Sequence, residues 1–281
     1  MEHAYVLGHA PEEQKRLMHQ AHFIGPVTER LFRDAGLKAG DRVLDLGCGV
    51  GDVSLLAAAI VGPGGAVIGV DRSPEAIETA TLRASHVGFA TVRFLQHDLN
   101  DAAALTLDAP VDAVVGRFVL MHLAQPAATL RRVLAWLKPG GVVAIQEIDA
   151  EAFKTEPHCE LWHATLERIQ QTFSRAGLDP RFALKLAPMF ELAGLPRPQA
   201  SYVARVERGP ASGIYEWVAS TTRTLLPMME RYGIAAADEI GIDTLETRLR
   251  DEAMARDATL VSPAFVGVCA RRLQPMKEMQ R

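Results

Sequence analysis

Short apolar runs separated by amphipathic stretches dominate the first half of the chain. Such runs are typical of buried strands, and they fall at 42–46, 66–70, 91–96, 112–116 and 142–148. Helical spacing appears between several of them, at about 52–61, after Ser73-Pro74, and at about 126–137 with an end at 138–141. Because right-handed crossovers place helices on both faces of a sheet, this alternation predicts a mostly parallel sheet in an α/β fold.

The pattern changes at both ends of the chain. Residues 11–35 predict one or two helices, with a bend at Gly25-Pro26. After Asp149 the spacing predicts helices at about 157–176, 181–193 and 212–256, and strands at 200–206 and 265–270. These last two strands bring the sheet to seven, and their separation is too large for a hairpin. We therefore expect the intervening helices to cap the carboxyl edge of the sheet.

Charge and cysteine content argue against several classes of protein. The net charge is −4 and no basic run exceeds two residues, whereas nucleic-acid binding usually requires clustered Lys and Arg. No apolar run approaches the roughly 20 residues of a membrane helix, and the acidic N-terminus lacks a secretory pattern. The three cysteines are scattered, without a metal-binding or disulfide spacing. The sequence thus predicts a soluble cytoplasmic protein that binds neither nucleic acid nor membrane.

The segment 43–52, V-L-D-L-G-C-G-V-G-D, joins a predicted buried strand to a helix through three alternating glycines. Glycine permits positive φ and lets a ligand approach the backbone closely. Many nucleotide-binding sheets contain such a turn, so the turn alone is a weak indicator. Asp45 and Asp52 flank it, and carboxylates in these positions repel a pyrophosphate and attract a cation.

Two further carboxylates follow the next two strands. Asp71 lies about 20 residues after Gly51, the interval at which an acidic residue binds ribose hydroxyls, and a bare carboxylate there disfavours a 2′-phosphate. Asp98 is placed to accept from an adenine amino group while the Leu99 amide serves a ring nitrogen. The structural alternatives are that Asp71 caps the next helix, for which Ser73 is better placed, and that Asp98 is a solvated loop residue.

Together these segments resemble the class I S-adenosylmethionine-dependent methyltransferases, which have a Rossmann-like sheet. The resemblance covers roughly 40–149, more loosely 5–272, and includes V-D-A-V-V at 111–115 and L-K-P-G-G at 137–141. Three segments resemble the corresponding segments of bacterial small-molecule methyltransferases: 5–8, 116–122 and Gln146-Glu147. S-adenosylmethionine carries a sulfonium and an ammonium and no phosphate, which agrees with the carboxylates around the glycine turn.

The resemblance implies a set of residues that bind S-adenosylmethionine and its product S-adenosylhomocysteine, without a metal. The glycines would pack on the methionine half of the cofactor, and 117–122 would line the methyl-donor centre. The implied residues are Tyr5, Asp45, Gly47, Cys48, Gly49, Gly51, Asp52, Asp71, Arg72, Asp98, Leu99, Arg117, Met121 and His122. For Cys48 we expect a small packed side chain and not a nucleophile.

The predicted elements divide the chain into segments with different expected roles. We expect an N-terminal helical lid over 1–39, a cofactor-binding core over 40–150, cap inserts at 151–177 and 212–258, and the remainder of the core sheet at 178–211 and 259–281. The oligomeric state is expected to be a monomer or a homodimer.

Methyl transfer requires alignment of donor and acceptor, and a hydroxyl or ammonium acceptor also loses a proton. Candidate bases are His122, Glu147 and, on the N-terminal helix, His22 or His19. Each has a structural alternative: His122 could hydrogen-bond a neighbouring loop, and Glu147 could hold Arg117 in place. The two helical histidines could lie on a solvated face. The expected acceptor is a small, partly apolar metabolite, methylated on O, N or C. A nicotinamide-dependent oxidoreductase and a non-catalytic cofactor-binding protein are the alternative functions.

Overall fold

The computed structural model describes residues 11–101 and 105–274 of the chain. Its helices are α1 (Pro11–Asp34), α2 (Asp52–Val61), α3 (Pro74–Val87), α4 (Pro126–Val133), α5 (Glu160–Arg175), α6 (Leu186–Leu192), α7 (Ile214–Arg231), α8 (Ala237–Ile240) and α9 (Leu245–Ala255). Its strands are β1 (Arg42–Leu46), β2 (Ala66–Asp71), β3 (Val92–Gln96), β4 (Val111–Arg117), β5 (Leu137–Asp149), β6 (Lys154–Glu156), β7 (Gln199–Val203), β8 (Val206–Glu207), β9 (Thr259–Val261) and β10 (Ala264–Arg271). Within these two ranges, no helix combines the length and the apolar character needed to cross a membrane.

Seven strands form one sheet in the order β3-β2-β1-β4-β5-β10-β7. The pairs β3-β2, β2-β1, β1-β4 and β4-β5 are all parallel, which confirms the α/β sheet predicted from the alternation. Leu46 at the end of β1 is in register with Val70 of β2 and Gly116 of β4. The carboxyl ends of these strands therefore lie side by side, where ligands bind in open α/β sheets.

One face of this sheet is covered by α1 and α2 through buried aliphatic side chains. Leu31 and Phe32 of α1 and Val53 and Ala57 of α2 belong to the same apolar cluster as Val43, Val115 and Ala144 of the strands. The predicted bend in the N-terminal segment does not divide it, since α1 continues through Pro26 as one helix. Both helices are thereby fixed against the strands whose ends carry the glycine segment.

The junction between α4 and β5 differs from the prediction. The helix ends at Val133, and β5 begins at Leu137, so the L-K-P-G-G segment is the start of a strand. Leu137 is buried and pairs with Val111, and a register shift then separates that pair from the next one. Burial of Leu137 against the sheet outweighs its helical spacing in the sequence.

A second, three-stranded sheet in the order β6-β9-β8 was not predicted. Its strands are two or three residues long, and β9 pairs antiparallel with both neighbours. Such short strands carry no periodic signal because period-2 alternation needs at least four residues. The predicted strand 200–206 accordingly divides: β7 belongs to the large sheet and Val206 begins β8. The predicted helix 181–193 also divides, into a 3₁₀ turn over Phe182–Lys185 followed by α6.

The chain divides into two compact units. The sheet unit comprises Val27–Glu147, Lys185–Ser201 and Gly267–Arg281, and the helical unit comprises Met1–Pro26, Ile148–Leu184 and Tyr202–Val266. In the helical unit the Glu252 carboxylate of α9 accepts from the amides of Leu161 and Trp162, which satisfies the N-terminus of α5. The lid, core and cap boundaries proposed from the sequence stay a prediction.

Candidate functional site

The glycine segment forms a tight left-handed loop between β1 and α2. Gly47, Gly49 and Gly51 have φ values of 60°, 51° and 89°. A Cβ at position 47 would lie 2.4 Å from Cγ2 of Val119, and one at position 51 would lie 3.1 Å from Phe94. The loop thus requires glycine both for its backbone conformation and for close packing.

Asp71 connects this loop to the start of α3. Its Oδ2 accepts from the Gly49 amide at 2.9 Å, and its Oδ1 accepts from the Ser73 amide at 2.9 Å. The hydroxyl of Ser73 in turn accepts from the Ala76 amide, which confirms Ser73 as the N-cap. The Asp71 carboxylate therefore lies at the glycine loop, and its role toward ribose stays a prediction.

Asp45 is a fully buried carboxyl directly before the loop. Its Oδ2 accepts from the Ser54 hydroxyl at 2.6 Å, and its Oδ1 has no hydrogen-bond partner. Burial raises the pKa of Asp45 from 3.8 to about 7, while the Ser54 bond and the charge of Arg117 lower it and the charges of Asp71 and Asp52 raise it. A cation bound at the loop would favour the ionised form of this carboxyl.

Asp52 and Cys48 have structural partners within the loop region. Asp52 forms an ion pair with Arg83 at 2.7 Å, and Arg83 also donates to the Val50 carbonyl. The Cys48 thiol is buried, and burial raises its pKa well above the ordinary value, which argues against a nucleophile. Through Arg83, Asp52 helps to hold the loop, and the contact of Asp52 and Cys48 with the cofactor stays a prediction.

The segment after β3 is held by backbone contacts around Leu99. The Leu99 carbonyl accepts from the Thr129 hydroxyl at 3.2 Å and from Arg132 at 2.6 Å. Asp98 is exposed, and its Oδ1 accepts from the amide and side chain of Asn100. This geometry leaves both the adenine-binding role and the solvated-loop alternative open for Asp98.

A strained turn follows β4. Phe118 has a φ of 55°, an unfavourable value for a residue with a side chain, and its amide donates to the Gln146 carbonyl at 2.9 Å. The Glu147 carboxyl accepts from the amides of Val119 and Leu120 at 3.0 and 2.7 Å. Glu147 is fully buried, and this burial raises its pKa from 4.5 to about 8. Its contacts with these two amides hold the turn. The alternative expected from the sequence was a contact between Glu147 and Arg117.

Arg117 donates to the Thr28 hydroxyl of α1 at 3.3 Å. The same hydroxyl donates to Oε1 of Gln146 at 2.6 Å. Gln146 is fully buried and in register with Arg117 on the neighbouring strand. The sequence analysis assigned no role to Thr28 or Gln146. A side-chain amide at the end of the apolar run V-V-A-I-Q, which is Gln146, could have indicated a buried polar contact.

The remaining candidate residues lie on different elements of the chain. His122 ends a 3₁₀ turn after β4 and is half-buried, and Met121 beside it is buried. His22 lies on α1 with an exposed side chain, which gives it no support as a base. Tyr5 lies outside the described residues, and so does the side chain of His19. No group of three His, Cys, Asp or Glu with metal-binding geometry occurs within 11–101 and 105–274.

Comparison with known proteins identifies the family. The sequence model of a methyltransferase domain matches residues 37–194, which is more than half of the chain. The chain belongs to this methyltransferase family. It is therefore an enzyme that uses S-adenosylmethionine, and the nicotinamide-dependent alternative is wrong.

Relatives extend this finding beyond the core. A trans-aconitate 2-methyltransferase of Methylobacterium radiotolerans is 33% identical over 70% of this chain and 73% of its own length. An arsenite methyltransferase of Aquipseudomonas alcaligenes is 32% identical over 50% of this chain and 43% of its own length. The crystal structure of the YcgJ protein from Bacillus subtilis aligns with a TM-score of 0.56 at 19% identity, over 90% of this chain and 99% of that one. The methyltransferase fold is thus shared over most of the chain.

The residues at the strand ends fit S-adenosylmethionine. The unpaired Oδ1 of buried Asp45 is an acceptor suited to a cation. The glycines with positive φ allow a ligand to approach the backbone of the loop closely. Asp71, which is half-buried, lies at the end of the adjacent strand. When bound, the cofactor supplies an electrophilic methyl group on a sulfonium, so the protein does not have to activate the donor.

Proposed function

We propose that this methyltransferase transfers the methyl group to a small, partly apolar metabolite by in-line displacement. The observation that carries the proposal is the glycine loop with its buried carboxyl Asp45, which suits a cationic and phosphate-free donor. Alignment of the reacting groups in a site that excludes water supplies several kcal/mol to such a displacement. The chain's main task is therefore to position the two reactants.

The roles of the named residues follow from their contacts. Gly47, Gly49 and Gly51 would bind the methionine half of the cofactor, and Asp71 the ribose. Asp98 and Leu99 would bind adenine. The turn at 118–122, with Met121 and His122, would face the methyl group.

For an acceptor that must lose a proton, His122 is the base that we favour over Glu147. The Glu147 carboxyl accepts two backbone amides, which commits it to holding the turn. His122 is half-buried at the end of that turn and keeps some exposure. A half-buried imidazole is suited to proton transfer near neutral pH.

The acceptor class is supported by the relatives. Proteins named for trans-aconitate methylation match this chain over 70% and 78% of its length, so trans-aconitate is the first acceptor to try. Another relative is named for arsenite methylation, so membership of the family does not fix the acceptor. We further propose a cytoplasmic enzyme of specialised metabolism, a monomer or homodimer, that does not bind nucleic acid, in keeping with its net charge of −4.

Calorimetric titration tests the cofactor, and mass spectrometry tests the acceptor. We expect S-adenosylmethionine and S-adenosylhomocysteine to bind at micromolar concentration and NADH not to bind. Incubation with S-adenosylmethionine and a panel of small acids, amines and phenols, trans-aconitate included, should give a product heavier by one methyl group. Binding of the cofactor with no turnover on any acceptor would favour the non-catalytic alternative.

A further inference from the structure

The carboxyl of Glu147 lies behind the turn that follows β4. Its Oε1 accepts from the amides of Val119 and Leu120 at 3.0 and 2.7 Å, and the residue is fully buried. Its Oε2 is also buried and has no hydrogen-bond partner among the described residues. In a neutral carboxyl the oxygen that accepts two bonds is the carbonyl oxygen, so the proton lies on Oε2. These contacts fit the neutral acid better than the carboxylate, whose charge on Oε2 would be unpaired.

The surroundings of Glu147 oppose its ionisation. Burial raises its pKa from 4.5 to about 8, and backbone amides of the turn lower it by a smaller amount. The titratable side chains on the elements around it are Asp45 of β1, Arg117 of β4, His122 of the turn and Asp149 of β5. Neither these nor any other charged side chain within 11–101 and 105–274 is among the causes of the shift in pKa. An ionised Glu147 would be a buried charge with no opposite charge to offset it, so ionisation favours a turn that opens to water.

The turn that Glu147 holds contacts the glycine loop directly. Cγ2 of Val119 fills the space beside Gly47, where an added Cβ would lie 2.4 Å from it. Val119 is buried, and its amide is one of the two that Glu147 binds. Phe118, directly before it, has a φ of 55°, a strained value that persists only where the surrounding structure imposes it. The bonds from β5 therefore keep Val119 against the loop.

We propose that Glu147 is a positioning residue for the cofactor: in its neutral form it holds Val119 against Gly47 and so keeps the glycine loop in the shape that binds S-adenosylmethionine. The inference rests on the proposed function, because Gly47, Gly49 and Gly51 are the proposed contacts to the methionine half of the cofactor. Glu147 acts through the turn and does not itself touch the ligand. Since the loop depends on a proton held on β5, cofactor affinity falls when Glu147 ionises.

The pH dependence of S-adenosylhomocysteine binding, measured by calorimetry, tests this proposal. With a pKa of about 8, the neutral fraction of Glu147 falls about tenfold between about pH 7 and about pH 9, and the affinity of wild type should fall by the same factor. Glu147→Gln keeps an oxygen acceptor for both amides and cannot ionise, so it should match wild type near pH 7 within about threefold and lack this fall. Glu191→Gln, at an exposed position of α6, is the matched control and should follow wild type. Ionisation of the ligand affects all three proteins equally.

A double-mutant cycle tests the path through Val119. Val119→Ala removes the methyl group that contacts Gly47 and leaves both amides bonded, whereas Glu147→Ala removes the two bonds. Each change alone should weaken binding of S-adenosylhomocysteine near pH 7 by about tenfold. Because both interrupt the same path, the double variant should bind about as weakly as either single variant. Circular dichroism at each pH establishes that the proteins compared are folded.

The proposal is overturned if wild type and Glu147→Gln show the same pH dependence of binding. It is also overturned if Val119→Ala binds as tightly as wild type, or if the effects of the two alanine changes multiply. Where Glu147→Ala does not fold, wild type, Glu147→Gln and Val119→Ala still decide the matter. Failure of wild type to bind S-adenosylhomocysteine near pH 7 would instead contradict the proposed function.

Discussion

The glycine loop at 47–51 and the turn at 118–121 follow the neighbouring strands β1 and β4, and both contain left-handed backbone. In the loop the left-handed residues are glycines, for which positive φ costs little. In the turn the left-handed residue is Phe118, for which this conformation costs about 1–3 kcal/mol. The turn keeps it because its amides are bonded to Gln146 and Glu147 of β5.

The comparison shows two ways to build the same kind of backbone. The conformation of the loop is intrinsic to its residues, whereas the conformation of the turn is imposed by a neighbouring strand. The two meet at Val119, whose Cγ2 occupies the space that a Cβ at position 47 would need. Changes to β5 should therefore reach the glycine loop through the turn.

The largest expected effect is that of Gly47→Ala. Left-handed strain at φ 60° and the contact with Val119 each cost about 1–3 kcal/mol, so we expect the free energy of unfolding to fall by about 3 kcal/mol or more. Chemical denaturation measures this loss. Gly64→Ala is the control, since nothing lies within 4 Å of the added Cβ. Equal stability of the two variants would mean that the loop tolerates a side chain at position 47.

Glu147→Ala should have the next largest effect. It leaves the buried amides of Val119 and Leu120 without an acceptor, which should lower the free energy of unfolding by about 2–3 kcal/mol near pH 4.5, where the contribution of the carboxyl is complete. Glu147→Gln keeps an acceptor and should lose less than half of that. If the alanine and glutamine variants unfold alike, the carboxyl does not hold the turn.

The pH dependence of stability tests whether burial keeps Glu147 protonated in the native state. The pKa of Glu147 is raised from 4.5 to about 8, so the native state retains a proton that the unfolded chain releases. Its favourable contribution is complete below about pH 4.5 and is lost as pH rises through about 8. Relative to Glu147→Gln, wild type should lose stability across this window by a few kcal/mol. A constant difference between the two proteins would contradict the raised pKa.

Asp71→Ala should weaken S-adenosylmethionine binding by more than about tenfold, or about 1.4 kcal/mol. It removes the proposed ribose contact and the acceptor for the Gly49 amide, so the loop and the ligand both lose a charge-assisted bond. Calorimetric titration measures the change. Asp34→Ala, whose ion pair with Arg30 is exposed, is the matched control. Unchanged affinity would exclude Asp71 from the cofactor site.

The smallest expected effect concerns the left-handed Asp257. Its φ of 50° resembles that of Phe118, but its exposed ion pair with Arg208 stabilises little. Asp257→Gly should therefore raise the free energy of unfolding by about 0.5 kcal/mol, through relief of strain. Thermal denaturation measures the shift. A loss of stability would show that the ion pair outweighs the strain at this position.

The sequence predicted the first two β-α units accurately because their signals are local. The apolar run before Gly47 and the Ser73-Pro74 start of α3 act within a few residues of where they stand. The predictions that were wrong depended on distant partners. Leu137 has helical spacing, yet it pairs with Val111 at the start of β5, and the strands of the small sheet are too short to be recognised without their neighbours.

The amino-acid sequence by itself determined the parallel sheet, the glycine loop, the carboxylates at the ends of the first strands, and through them the methyltransferase family. These features follow from periodicity and from the conformational freedom of glycine, which are properties of short segments. Only the tertiary structure decided that Glu147 holds the turn, and that Thr28, Arg117 and Gln146 share a hydrogen-bond network. Those contacts join residues far apart in the chain, and only the register of β4 and β5 and the packing of α1 bring them together.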